Sequence, residues 1–204
     1  MNATAGKPWD ARLAARLIAP LQGSSVTPNH LTTLRLLSGV LACLALAAGG
    51  YFWSNVGALC FALSNFLDHT DGELARLTGN MTRFGHYYDL MSDALANVLL
   101  FAGIGLGLRH GPLGHAAILL GCLAGAAVAA IFHMRHVIEQ AVGKADARQP
   151  HAGGMEAEDV LYLLPLVSLS GQLQPFLILA AAGAPLFALW VLREFLALRR
   201  RTSA

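Results

Sequence analysis

The sequence has few charged residues for its length. Asp, Glu, Lys and Arg make up 13% of the 204 residues, whereas hydrophobic residues make up 55%. A soluble protein usually carries about 25% charged residues, so this chain cannot cover a water-facing surface in the usual way. This shortage excludes an ordinary soluble domain and a disordered chain. Lipid is therefore the expected environment for most of the protein.

The sequence also has few cysteines and only a small net positive charge. The three cysteines, Cys43, Cys60 and Cys122, all lie in apolar segments, and they do not form the even-numbered framework of a disulfide-rich secreted domain. The net charge is only +2, and the basic residues are dispersed along the chain. This distribution argues against a nucleic-acid-binding groove, so we expect no nucleic-acid partner.

Long apolar segments, in contrast, recur along the chain. A helix that crosses a hydrocarbon core of about 30 Å needs roughly 20 apolar residues, and six segments approach this length. The fifth is the weakest, because it is short and contains Pro165. The predicted spans are residues 31–48, 52–67, 95–108, 113–132, 160–171 and 176–192.

Residues 7–22 are predicted to form an amphipathic helix in the membrane interface. Apolar residues recur there at helical spacing, opposite basic residues, a pattern typical of helices that lie on a membrane surface. The predicted fold is an all-α membrane protein in which six transmembrane helices, within residues 30–199, follow this interfacial helix. We interpret residues 1–204 as a single domain.

The positions of Lys and Arg predict the orientation of the chain. With six spans, both termini and the loops around residues 69–85 and 141–158 lie on one side of the membrane. All of the 14 basic residues except Arg109 then lie at or near that face. Because cytoplasmic loops carry the excess of Lys and Arg, we expect both termini on the cytoplasmic side.

Two pairs of glycines lie four residues apart inside apolar segments. They are Gly103 with Gly107 and Gly121 with Gly125. Small residues at this spacing let neighbouring helices approach closely. We interpret both pairs as packing positions within the bundle rather than as a dimer seam.

Four aspartates lie within residues 68–93, DHTDGELARLTGNMTRFGHYYDLMSD. Asp68 and Asp71 are three residues apart and Asp89 and Asp93 are four apart, so each pair lies on one face of a helix. Carboxylates this close to hydrocarbon repel one another unless a cation lies among them, and they indicate function by default. Mg²⁺ binds a few carboxylates together with substrate phosphates. The segment therefore predicts a divalent-metal site at the membrane surface.

Small and basic residues accompany the aspartates. Gly72 and Ala75 flank the first pair, and Gly85 precedes Asp89 by one turn; such residues leave room for a bulky ligand. The guanidinium group of Arg76 is suited to binding a phosphate. Carboxylates for metal, glycines for clearance and an arginine for phosphate together predict a nucleotide-diphosphate site.

The same residues resemble the signature of a known family, the CDP-alcohol phosphotransferases. The segment 26–35, VTPNHLTTLR, is also similar to this family's entry into the first span. The resemblance implies an interfacial helix, six transmembrane helices and a homodimer. The eight signature positions, matched without departure, are Asp68, Asp71, Gly72, Ala75, Arg76, Gly85, Asp89 and Asp93.

The resemblance also implies a reaction. A phospho-alcohol group, such as phosphatidyl, would pass from a CDP-linked donor such as CDP-diacylglycerol to an acceptor hydroxyl, with release of CMP, in phospholipid biosynthesis. Asp93 would be the general base. A two-metal centre of Mg²⁺ or Mn²⁺ would be held by Asp68, Asp71, Asp89 and Asp93. The donor nucleotide and diphosphate would contact Asn29, Thr32, Gly72, Ala75, Arg76, Thr82 and Gly85.

The acceptor alcohol is less defined. Candidate acceptor-pocket residues are Arg135, His136 and Glu156. Relatives that use inositol phosphate or glycerol phosphate have basic residues where the segment 153–160 has three acidic ones. An anionic acceptor would be repelled there by about 1 kcal/mol per near pair even in water, which favours a neutral or cationic alcohol. A solvated loop explains the same residues, so a phosphatidylinositol-phosphate or phosphatidylglycerol-phosphate synthase is the alternative.

A divalent-cation transporter is the alternative from a different functional class. Carboxylates in a membrane also mark ion pathways. Against this interpretation, the aspartates cluster toward one face of the membrane, and Gly72, Ala75 and Arg76 would have no role. CMP release separates the two hypotheses, because only the enzyme produces CMP.

Overall fold

The computed structural model describes residues 16–79, 81–142 and 161–202. All regular structure in these ranges is helical, which confirms the all-α class. A 3₁₀ helix, Ala19–Gly23, precedes six α-helices. These are α1 (Pro28–Ala48), α2 (Gly50–Thr78), α3 (Arg83–Gly107), α4 (Ala116–Val142), α5 (Leu164–Leu169) and α6 (Leu173–Thr202).

Four of the described helices are long and apolar enough to cross a membrane, as expected of an integral membrane protein. They are α1, α3, the Ala116–Ile138 part of α4 and the Leu173–Arg200 part of α6. The α2 helix has 29 residues, a length of about 44 Å at 1.5 Å per residue, but polar and acidic residues interrupt its apolar sequence. The count of six spans stays a prediction.

Two predicted segments are described only in part. The predicted fifth span, 160–171, begins at the edge of a range outside the described residues, and α5 within it has six residues. Of the predicted interfacial helix, 7–22, the structure describes residues 16–18, which are helical, and the 3₁₀ helix that follows. Within that part Ile18 is buried and Leu17 is exposed.

The bundle is held together by close contacts between helices. The α1 helix packs against α2 and α3, and α4 packs against α3 and α6. A Cβ on Gly103 would lie 2.8 Å from the backbone oxygen of Cys43, and one on Gly125 would lie 3.1 Å from Cα of Val98. Gly107 and Gly121 are crowded still more closely, by backbone oxygens of α1 and α3. The interpretation of both glycine pairs as bundle packing positions is confirmed.

The ends of α2 and α3 position the functional site. The α2 helix is followed by Gly79, whose φ of 66° is in the left-handed region, where glycine is favoured at helix ends. The α3 helix begins at Arg83, with the Thr82 side chain as its N-cap. A connection of only a few residues therefore places the acidic parts of α2 and α3 side by side.

Candidate functional site

Three of the four motif aspartates contact Arg35, which α1 supplies. One guanidinium nitrogen of Arg35, Nη1, contacts Asp68 and lies 2.9 Å from Asp89 Oδ1. The other, Nη2, lies 2.8 Å from Asp93 Oδ1. The Arg35 side chain is only 2% exposed, whereas the three carboxylates are 30–43% exposed, so these charge-assisted hydrogen bonds are buried on the side of the arginine. The cation that four neighbouring carboxylates require is therefore an arginine from the first helix.

Asp71 completes the cluster. It is buried, and it accepts a hydrogen bond of 2.6 Å from Thr32 Oγ1. Asp68, Asp71 and Asp89 each offer a carboxylate oxygen, and these oxygens lie within 4.8 Å of one another. Opposite ligands of Mg²⁺ are about 4.2 Å apart, so a small adjustment of the side chains would let the three carboxylates hold a divalent ion.

Asp93 stands beside this group of three carboxylates. Its Oδ1 accepts hydrogen bonds from Arg35 and, at 3.0 Å, from Nδ2 of Asn97. The described residues thus form one three-carboxylate group with Asp93 as its neighbour. The two-metal centre stays a prediction.

A cavity of about 440 Å³ opens beside Asp71 and Asp89. This volume lies in the usual range for small-molecule sites, about 300–1,000 Å³. Arg83 and His86 also line it. So do all seven residues that the resemblance assigns to donor binding: Asn29, Thr32, Gly72, Ala75, Arg76, Thr82 and Gly85.

The two motif glycines lining the cavity differ in their surroundings. A Cβ on Gly72 would meet nothing within 4 Å, so glycine at this position leaves open space beside Asp71. A Cβ on Gly85 would lie 3.0 Å from Thr82 Oγ1 and 3.1 Å from Asn29 Oδ1. A larger residue at either position would take space from the cavity or push on residues that line it.

Arg76 and Thr82 have local partners as well as positions at the cavity. Arg76 Nη1 lies 3.0 Å from Oε2 of Glu73, which is buried, whereas the Arg76 side chain is 64% exposed. Glu73 therefore restrains an arginine that still reaches the cavity. The Thr82 hydroxyl accepts a 2.9 Å hydrogen bond from the backbone N–H of Gly85, which stabilises the start of α3.

A sequence model of the CDP-alcohol phosphatidyltransferase family matches residues 25–192, which include every described residue of this site. The chain belongs to the CDP-alcohol phosphatidyltransferase family. The resemblance that the aspartate motif indicated is thereby confirmed.

Two curated relatives of this family member are synthases of inositol lipids. The archaetidylinositol phosphate synthase of Pyrococcus horikoshii is 34% identical over 94 residues, which cover 45% of this chain and 47% of that protein. The phosphatidylinositol phosphate synthase of Mycobacteroides abscessus is 33% identical over 95 residues, which cover 46% and 42%. The chain therefore spans less than half the length of either relative.

A solved structure of the family shares the fold over nearly the whole chain. It is the crystal structure of the Mycobacterium tuberculosis phosphatidylinositol phosphate synthase, PgsA1, with CDP-DAG bound. The TM-score is 0.61 at 20% sequence identity, and the match covers 93% of this chain and 92% of that one. At this identity the likeness concerns the fold alone.

Of the three candidate acceptor residues, the structure describes Arg135 and His136, and their side chains have different partners. Arg135 does not line the cavity: it turns toward α6, where its Nη1 lies 3.2 Å from Glu194 Oε2. His136 Nε2 lies 3.2 Å from Nε2 of His86, a residue of the cavity wall. Glu156 lies outside the described residues. Of the three, only His136 is described near the site, at its edge.

Arg35 and Asn97 are residues of the site that sequence reasoning missed. The prediction of orientation used Arg35 only as one of the basic residues near the cytoplasmic face. An arginine in an apolar helix is itself a sign of function. Asn97 follows Asp93 by four residues, a spacing that places both on one helix face. Both signals are present in the sequence.

Proposed function

We propose that the protein transfers a phosphatidyl-type group from a CDP-linked lipid, such as CDP-diacylglycerol, to an alcohol and releases CMP. The observation that carries this proposal is the cavity, which joins all seven expected donor-contacting residues to the carboxylate cluster. Two of its lining residues, Arg76 and Arg83, would offset the charge of a diphosphate. The family, the named relatives and the neighbour with CDP-DAG bound support the same reaction.

The residues have separate roles in the proposed reaction. Asp68, Asp71 and Asp89 would hold Mg²⁺ or Mn²⁺, which when bound neutralises diphosphate charge and polarises its oxygens. Asp93, the fourth aspartate of the expected two-metal set, is 30% exposed and accepts the proton of the acceptor hydroxyl. A general base is needed because an alcohol is a weak nucleophile at neutral pH. Arg35 holds the carboxylates together while the substrates bind.

The names of the relatives favour a phosphorylated acceptor. They are inositol phosphate lipid synthases, so we propose inositol phosphate as the acceptor. The acidic segment 153–160 favours a neutral or cationic alcohol instead, and it lies outside the described residues. An assay that offers both phosphorylated and unphosphorylated alcohols as acceptors distinguishes these two hypotheses.

The membrane arrangement belongs to the same proposal. We place six spans after an interfacial helix, with the active site and both termini at the cytoplasmic face. Arg109 supports this orientation: it lies at the far end of α3 from the carboxylates and donates to the backbone oxygen of Ala47 at the end of α1. The homodimer follows the usual arrangement of the family.

The experiment is CMP release by the purified chain in lipid with CDP-diacylglycerol and either Mg²⁺ or Mn²⁺. Inositol phosphate, glycerol phosphate, inositol and serine are offered as acceptors. We expect release that depends on inositol phosphate and falls by about 10²–10⁴-fold in Asp93→Asn, the usual contribution of a general base. Glu194→Gln, the same change of acid to amide away from the cavity, should keep its activity.

Each other outcome has a defined meaning. CMP release with a neutral alcohol alone would refute inositol phosphate as the acceptor but would still support the transfer reaction. If CMP is released with none of these acceptors, and also not with CDP-choline and diacylglycerol, the transferase proposal is refuted. Divalent-cation transport would then be the remaining hypothesis. Normal release by Asp93→Asn would remove Asp93 from the role of base.

A further inference from the structure

A second, smaller cavity meets the carboxylate cluster at the two aspartates that do not line the large one. Its polar lining residues are Asn65, Asp68, His69, Asp93, Asn97 and Tyr162. None of them lines the large cavity, whose carboxylates are Asp71 and Asp89. Its volume of about 20 Å³ has room for one water-sized group, such as a hydroxyl.

Asn97 connects this small cavity to Asp93. Its Nδ2 donates to Oδ1 and to the backbone oxygen of Asp93, each at 3.0 Å. The residue is only 2% exposed, and among the described residues its Oδ1 has no hydrogen-bond partner. Since buried amide oxygens are normally paired, an unpaired one at a polar cavity points to a missing donor, such as a hydroxyl group.

The chemistry of the transfer gives the two cavities different roles. In an in-line displacement, the attacking and the leaving oxygens lie on opposite sides of the phosphorus atom. The large cavity holds the expected donor contacts, and therefore the leaving CMP. The small cavity meets the cluster at Asp68 and Asp93, neither of which lines the large cavity. The reacting hydroxyl of the acceptor is therefore expected to meet Asp93 next to the small cavity.

We propose that Asn97 is a positioning residue that selects an acceptor with two neighbouring hydroxyl groups; this inference rests on the proposed function. One hydroxyl gives its proton to Asp93, its oxygen forms a bond to phosphorus, and the bond from phosphorus to the CMP oxygen breaks, with the electron pair leaving on CMP. The adjacent hydroxyl occupies the small cavity and donates to Asn97 Oδ1. Asn97 Nδ2 meanwhile keeps the Asp93 carboxylate in place.

The test compares inositol phosphate with each monodeoxy-inositol phosphate as acceptor in the CMP-release assay. The wild type should prefer inositol phosphate at least tenfold in kcat/KM over the analogue that lacks the adjacent hydroxyl, because a buried acceptor group is then left unpaired. In Asn97→Leu this preference should fall close to one. Its acceptor KM should rise while its donor KM stays unchanged.

The matched control is Asn55→Leu. Asn55 also donates to a backbone oxygen four residues earlier, that of Tyr51 at 2.9 Å, and its Oδ1 is likewise buried without a described partner. It lies near the start of α2, far from the carboxylates, so this variant should keep the wild-type preference. Should Asn97→Leu fail to fold, Asn97→Ala is assayed for the same ratio.

Three results would overturn the inference. One is an unchanged preference in Asn97→Leu or Asn97→Ala, and another is an equal rise in donor and acceptor KM. The third is that the wild type uses only serine as acceptor. That result would refute the inference about Asn97 but would still support the proposed transfer reaction. Absence of CMP release from the wild type would instead refute the proposed function, so the two failures are distinguishable.

Discussion

Replacing Arg35 with methionine should destabilise the protein strongly when no divalent ion is present. Arg35 is buried against Asp68, Asp89 and Asp93. At an effective dielectric constant of 20, three such pairs give roughly 12 kcal/mol of attraction, of which desolvation offsets most. Loss of one partner from a buried ion pair typically costs about 3–5 kcal/mol. We expect a loss of this size in the free energy of unfolding of Arg35→Met.

The assay is thermal unfolding of the purified protein in detergent, with EDTA or with Mg²⁺. For a chain of this size about 1 kcal/mol corresponds to 2–4 °C, so the midpoint in EDTA should fall by roughly 10 °C. Mg²⁺ should recover more stability in Arg35→Met than in the wild type, because the carboxylates then have no other cation. Arg35→Lys should be intermediate, since an ammonium group cannot bridge three carboxylates in the same geometry.

Arg109→Met is the control for loss of a partly buried arginine. Arg109 donates to the backbone oxygens of Ala47 and Leu106, so its loss should cost only about 1 kcal/mol per hydrogen bond and should not depend on Mg²⁺. An unchanged midpoint for Arg35→Met in EDTA would refute the reasoning. So would an equal fall in both variants with the same response to Mg²⁺.

Two further substitutions test the large cavity and the role of Arg135. Gly72→Leu should raise the donor KM at least tenfold in the CMP-release assay without lowering the thermal midpoint, because its side chain enters open space in the cavity. Gly183→Leu, which also enters open space but on α6, is its control, and an unchanged donor KM in Gly72→Leu would exclude the cavity as the donor site. Glu194→Gln removes the carboxylate that lies 3.2 Å from Arg135. Because Glu194 is 38% exposed, this change should lower the free energy of unfolding by about 1 kcal/mol or less. It should leave the acceptor KM unchanged. A changed acceptor KM would return Arg135 to the acceptor pocket.

Local patterns were sufficient to predict the acidic site. The spacing of Asp68 with Asp71 and of Asp89 with Asp93 depends only on helical periodicity, and a short connection between two helices brings the pairs together. The start of α3 was harder to predict. Hydropathy suggests a span from residue 95, whereas the helix begins at Arg83, because its start is set by the Thr82 cap rather than by apolar residues.

Contacts between distant parts of the chain could not be predicted in the same way. Arg35 lies 54 residues from Asp89 and 58 from Asp93 along the chain, and its pairing depends on how α1 packs against α2 and α3. Arg135 illustrates the same limit. The α4 helix contacts both α3 and α6, and the sequence alone does not indicate which neighbour this side chain faces.

The ratio of one arginine to four aspartates explains how a single site serves both folding and metal binding. Without Arg35, mutual repulsion among the carboxylates would destabilise the packing of α2 and α3 unless a divalent ion were bound. With enough cations to neutralise every carboxylate, no negative charge would remain to attract that ion. Since Arg35 and Thr32 both lie on α1 and contact aspartates on α2 and α3, the packing of α1 sets the geometry of the carboxylates. Substitutions that loosen α1 should therefore weaken metal binding even when they lie outside the cavity.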